Sequence, residues 1–235
     1  MIAALAGYLL GSVSFTRSML AKLAPGTNLE AIEEMVPGTT ERFSSSSTGA
    51  TAVMHQVSPK WGGITALLDM LKAFIPVLVF HLLFPNASYY LITALFVMLG
   101  HNYPLYYGFK GGRGLSVMMG GFLVFDWLGT LLTTLFGLVF GVLSGQVVLI
   151  RWGGMLLMIL WAWLFHTGWQ PVVYVLLANV IFWFAMRGEL QRFLALKRQN
   201  KLPDEKVVAK FMGMGSMIPF IERFSIPAIV RLLKK

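Results

Sequence analysis

Four places in this 235-residue chain combine residue types that do chemistry. The first is the turn Phe109-Lys110-Gly111-Gly112-Arg113-Gly114, two cations among three glycines directly before an apolar run. Glycines let backbone N–H groups approach an anion, a helix N-terminus adds positive potential, and the two side chains supply charge-assisted hydrogen bonds, so the combination suits a phosphate group. It is neither G-x-x-x-x-G-K-[ST] nor a dinucleotide fingerprint in a strand–helix setting, and it reads equally well as a tight turn carrying the cations that flank membrane helices.

The second is Ser44-Ser45-Ser46-Ser47-Thr48-Gly49-Ala50-Thr51, whose hydroxyls and amides suit a phosphoryl group and whose composition also suits a serine-rich linker. Arg42 and His55 flank it. The third is Asp69 with Lys72, three residues apart and therefore on one helical face, either a functional pair or a self-neutralising bridge. The fourth is His101 after Gly100, a candidate base or phosphate donor that can equally serve a neighbouring carbonyl. His81 and His166 read as structural residues at the interface.

The elements that must position these residues are membrane helices. With 57% hydrophobic and 12% charged residues and a mean hydropathy of +0.71, the chain falls far from a soluble domain, where about 25% of residues are charged. It contains no cysteine, which excludes disulfides, thiol nucleophiles and cysteine-held metals. The net charge of +9 is concentrated after Arg187, where a basic tail suits anionic lipid headgroups better than nucleic acid.

Met1 to about Ala24 lacks a basic start and carries Arg17 and Lys22, so it reads as a retained first helix. Residues 24–60 read as a polar loop. Apolar segments follow at Gly62–Phe84, Ala87–Tyr107, Leu115–Thr130, Leu131–Ile150, Gly153–His166 and Trp169–Met186, with Arg151 as one of the separators. The expectation is an all-α, polytopic protein of about seven transmembrane helices over 1–187, with a basic interfacial tail over 188–235. Placing loop cations inside puts the N-terminus out, the C-terminus in, and the polar loop and glycine turn on one cytoplasmic face. No G-x-S-x-G elbow occurs, and no His is followed by Asp five residues on.

The motifs resemble those of the bacterial acyl-phosphate:glycerol-3-phosphate acyltransferases. Gly11-Ser12-x-x-Phe15 with Ala21-Lys22-Leu23 resembles G-S-x-P-F…A-K-L, and Ser45 with Gly49-Ala50-Thr51 and Val53 resembles G-S-G-N-x-G-A-T-N-V. Leu67-Leu68-Asp69-x-x-Lys72 resembles L-L-D-x-x-K-G, and Gly100-His101 through Pro104 to Phe109–Gly114 resembles G-H-x-x-P…F-K-G-G-K-G. Departures are Ser47 and Ala52 in place of Asn, His55 in place of Arg, Thr39-Thr40-Glu41 with Arg42 displaced by one, and Arg113 in place of Lys. The late His-x-x-Asn survives as Leu176-x-x-Asn179.

The resemblance implies a seven-helix inner-membrane enzyme without cofactor or metal, moving a fatty acyl group from acyl phosphate to glycerol 3-phosphate. It assigns Lys110, Gly111, Gly112, Arg113 and Gly114 to one phosphate, and Lys22, Arg42, Ser45, Ser46, Ser47, Gly49 and Thr51 to the other. Ser12, Asp69 and Lys72 complete the binding set, while His101, Lys110 and Ser45 stand as catalytic candidates. The alternative is a non-catalytic membrane protein that binds or transports a phosphorylated metabolite or phospholipid.

Overall fold

A computed structural model describes residues 1–27, 32–35, 42–45, 49–198 and 218–233. Its elements are helices α1 (Ile2–Gly11) and α2 (Phe15–Leu23), strands β1 (Ile32–Met35) and β2 (Arg42–Ser45), and helices α3 (Ala50–Gln56), α4 (Pro59–Leu83) and α5 (Tyr89–Asn102). Then come a 3-10 turn (Leu105–Tyr107) and helices α6 (Leu115–Phe125), α7 (Trp127–Ser144), α8 (Val147–Phe165), α9 (Gln170–Arg198), α10 (Ile218–Phe224) and α11 (Ile226–Leu233). The protein is a multi-pass helical membrane protein.

Among the described residues, four helices are long and apolar enough to cross a bilayer: α4, α7, α8 and α9 as far as Gly188. The apolar segments at α1, α5 and α6 form shorter helices of 10, 14 and 11 residues. At 1.5 Å per residue they reach about 15 to 21 Å, short of the roughly 30 Å hydrocarbon thickness. Ser12–Ser14 separates α1 from α2, and Tyr103–Gly114 joins α5 to α6 without a turn of α-helix. Irregular backbone at that depth is tolerated because protein surrounds it.

Four further boundaries differ from the sequence reading. The first segment is two helices, since the Ser14 hydroxyl accepts the Arg17 N–H at 3.3 Å and starts α2 afresh. Asp126, not Thr130, divides the long apolar stretch by accepting the Gly129 N–H at 2.8 Å as the N-cap of α7. Gly145, at φ 75°, ends α7, so Arg151 lies inside α8 rather than between helices. The polar loop contains structure: β1 and β2 pair antiparallel, Ile32 opposite Ser45 and Met35 opposite Arg42, and α3 follows from Gly49. This small ribbon is the departure from an all-α chain.

Glycine seams let the helices approach closely, as small residues do where lipid supplies no hydrophobic drive between helices. Gly7 and Gly11, four apart on α1, lie against Thr93 and Val97 of α5, and a methyl at Gly11 would meet the Val97 carbonyl. Gly137 and Gly141 of α7 lie against Gly153, Gly154 and Ile150 of α8. The other face of α7, with Leu131, Leu135, Phe136, Val139 and Phe140, is exposed and apolar, a lipid-facing surface. The core joins α4 to α9 around Val77, Val97, Phe122, Met158, Val175 and Phe182. A second cluster of Leu20, Ala52 and Val53 seats α2 and α3 near Trp61 at the start of α4.

Candidate phosphate site

Three buried ionisable side chains hold the inner wall together. Lys72 Nζ donates to the Val13 carbonyl at 2.7 Å and lies 2.9 Å from His101 Nδ1 and 3.1 Å from Asp69 Oδ1. The approach to Asp69 is an ion pair by distance, outside hydrogen-bond alignment. The side chains of Lys72, Asp69 and His101 are 6%, 3% and 8% exposed. The ammonium therefore staples α4 to α5 and to the α1–α2 junction, and the Asp69–Lys72 pair expected from spacing is formed.

His101 in turn shapes the glycine turn. Its carbonyl accepts the Gly112 N–H at 3.1 Å, and a methyl at Gly112 would strike His101 Nε2. Gly114 has φ 84° and its Cβ position faces Asn102 Oδ1, so that position requires glycine on both conformation and space. The turn ends as the N-terminus of α6, with Gly114 at the N-cap and no side-chain cap. Arg17 steadies it from outside: its Nη2 donates to the Lys110 carbonyl at 3.1 Å, and its guanidinium lies 4.8 Å over the Tyr107 ring. In the sequence Arg17 reads only as a charge in the first segment, and its spacing carries no other signal.

A cavity of about 500 Å³ opens between these elements. Gly49, Ala50 and Thr51 line it from α3, Asp69 from α4, His101 from α5, Arg113, Gly114 and Ser116 from the turn and α6, and Arg151 and Trp152 from α8. The polar stretch and the glycine turn, about sixty residues apart, thus share one space. Arg151 Nη2 lies 3.5 Å from Thr51 Oγ1.

The other expected residues fall elsewhere or outside the described part. Lys110 is exposed and is not among the residues lining the cavity. Lys22 is exposed in the last turn of α2. Gly111 packs on the His101 carbonyl. Ser12 is fully buried, donating to the Tyr8 carbonyl at 2.8 Å and accepting the Leu105 N–H at 3.2 Å, so it fastens α1 to the chain after α5. Arg42 and Ser45 sit at the two ends of β2. Ser46 and Ser47 lie outside the described residues.

Fold and cavity together define a polytopic helical membrane protein with an arginine-lined chamber among its helix ends. The chain belongs to the glycerol-3-phosphate acyltransferase family, which it matches over residues 1–196. Similar proteins include the glycerol-3-phosphate acyltransferases of Pseudothermotoga lettingae, 41% identical over 34% of this chain and 41% of that protein, and of Aquifex aeolicus, 38% identical over 48% and 53%. The chain spans about half the length of these curated relatives. Among solved structures it is similar to PlsY, an integral membrane glycerol 3-phosphate acyltransferase. The glycerol 3-phosphate form gives a TM-score of 0.69 at 26% identity, covering 82% of this chain and 90% of that one. The lysophosphatidic acid form gives 0.67 at 25% identity over the same shares.

Proposed function

We propose that this chain transfers a fatty acyl group from acyl phosphate to the primary hydroxyl of glycerol 3-phosphate, in a bacterial cytoplasmic membrane with its C-terminus inside. The observation that carries the reading is the shared cavity: Gly49 and Thr51 from the polar stretch line it together with Arg113 and Gly114 from the glycine turn. Support comes from the family and from PlsY, whose structures are a glycerol 3-phosphate form and a lysophosphatidic acid form.

The chemistry suits the residues. A new ester C–O bond forms, the acyl C–O bond to phosphate breaks, and the hydroxyl proton leaves with the departing phosphate. Both reactants carry phosphate, so the protein's work is to offset their repulsion and align them. Arg113 and the uncapped N-terminus of α6 bind one phosphate, and Thr51 and the Gly49–Ala50 backbone contribute on the facing wall. Lys110 acts from the exposed turn as a cation near the mouth, and Arg42 and Ser45 belong to the ribbon that leads into α3. His101 positions Gly112 rather than removing a proton, because its Nδ1 is already engaged by Lys72.

The basic segment over 188–235 forms the inner-face tail in this reading. Purified protein mixed with palmitoyl phosphate and glycerol 3-phosphate should release lysophosphatidate and inorganic phosphate in equal amounts. Absence of product with every acyl phosphate and polyol phosphate tried would reject the assignment, and saturable phosphate-ester binding without turnover would favour the non-catalytic alternative.

A further inference from the structure

Arg151 is the single charged residue among the 19 of α8, and it stands at the fifth position of that apolar helix. An ionisable group in such a segment faces protein or water rather than lipid, and marks a functional site by default. Here it lines the cavity, 3.5 Å from the Thr51 hydroxyl. On the α8–α9 side the described lining residues are Arg151, Trp152 and Phe182, so the guanidinium is the ionic group of that wall. Asn179 of α9 is turned elsewhere, its Nδ2 donating to the Met155 and Val175 carbonyls at 3.2 and 2.9 Å.

The charges of the lining point the same way. Among the described lining residues the carboxylate is Asp69, which is ion-paired with Lys72. The guanidiniums among them are Arg113, on the turn before α6, and Arg151, on α8. A phosphate monoester carries close to two negative charges at neutral pH, and a guanidinium presents its donors in a fork that matches phosphate oxygens.

We infer that Arg151 is a phosphate-binding residue of this site, bracketing a phosphate monoester or acyl phosphate head between α8 and the α6 turn, with the Thr51 hydroxyl as a neighbouring contact. Which substrate supplies that phosphate rests on the proposed reaction; the anion binding itself does not. Arg151 then favours a substrate that carries a phosphate over an uncharged analogue that presents nothing for the guanidinium to hold.

The test compares wild type, Arg151→Gln and Arg151→Lys in detergent. Inorganic phosphate should raise the melting temperature of the wild type, because a ligand bound only to the folded state stabilises it. The half-effective phosphate concentration should rise about ten- to a hundredfold in Arg151→Gln, the range for losing a charged hydrogen-bonded contact. Arg151→Lys should fall between, keeping the charge and losing the fork. In the acyl transfer assay, KM for glycerol 3-phosphate or for palmitoyl phosphate should rise by a similar factor, and the substrate that responds is the one Arg151 holds.

An unchanged phosphate titration, with both KM values within about twofold of wild type, would overturn the inference. If the wild type makes no product, the proposed reaction fails while the phosphate titration still decides the role of Arg151. Should Arg151→Gln not fold, Arg151→Lys together with Thr51→Ala provides the same comparison.

Discussion

Lys72 Nζ lies 2.9 Å from His101 Nδ1, and this contact favours one arrangement of the imidazole proton. An ammonium only donates, so Nδ1 accepts and the ring proton sits on Nε2, the atom packed against Gly112. One buried lysine thus orients the histidine, and the histidine orients the glycine turn.

Removing the lysine should therefore cost stability before it costs chemistry. Lys72→Met leaves Asp69 buried without its counter-charge, a change worth about 3–5 kcal/mol. The double variant Asp69→Asn/Lys72→Met should recover a large part of that loss, as followed by thermal unfolding in detergent. Equal stability of Lys72→Met and wild type would show that the staple contributes nothing.

Arg113 and Lys110 should separate sharply in kinetics. Arg113 lines the cavity and Lys110 does not, so Arg113→Ala should lower kcat/KM about a hundred- to a thousandfold, as loss of a preorganised charge contact does. Lys110→Ala, at an exposed position, should lower it by less than about fivefold, with a weaker response at high salt because exposed charges are screened. A larger loss in Lys110→Ala than in Arg113→Ala would reverse the assignment.

Gly112→Ala should lower turnover about a hundredfold while leaving most of the fold intact. The added methyl would meet His101 Nε2, so the turn must shift, and displacement of about 1 Å at a reacting site costs on the order of a hundredfold. Gly188→Ala is the control: its Cβ would meet nothing within 4 Å, and alanine in an exposed helix should stabilise by about 0.5–1 kcal/mol. Activity retained in Gly112→Ala would remove the close His101–Gly112 packing from the account.

The far end of the bundle supplies a pH dependence. Asp126 Oδ2 accepts from Trp161 Nε1 at 2.7 Å and pairs with His166 Nε2 at 2.9 Å, while Oδ1 accepts the Gly129 N–H at 2.8 Å. Burial alone would raise this carboxyl, but the hydrogen bonds from Gly129, His166 and Trp161 outweigh it and hold it below the usual aspartate value. The native state thus prefers the ionised form. Its contribution is complete above the unfolded pKa near 4 and is lost as pH falls through the lower folded value. Melting temperature should drop over that acidic window in wild type and vary less in Asp126→Ala, which itself should cost about 2 kcal/mol through the lost N-cap and hydrogen bonds.

Much of this protein is legible in one dimension. The membrane class follows from hydropathy because a bilayer imposes an average property on some twenty consecutive residues. The Asp69–Lys72 pair follows from helical periodicity, and the tight turn before α6 from its three glycines, both being relationships between near neighbours in sequence. The tertiary structure decided what depends on distant partners. Arg151 reads as a charge between helices until Gly145, rather than the charge, is seen to end α7. Lys110 and Arg113 look alike within one turn until His101 and Arg17 set which of them faces inward. The close approach of α1 to α5 follows from Gly7 and Gly11 facing Thr93 and Val97, which local propensity does not encode. Composition and spacing report what a residue can do, whereas the direction a side chain faces is set by its packing against other elements of the fold.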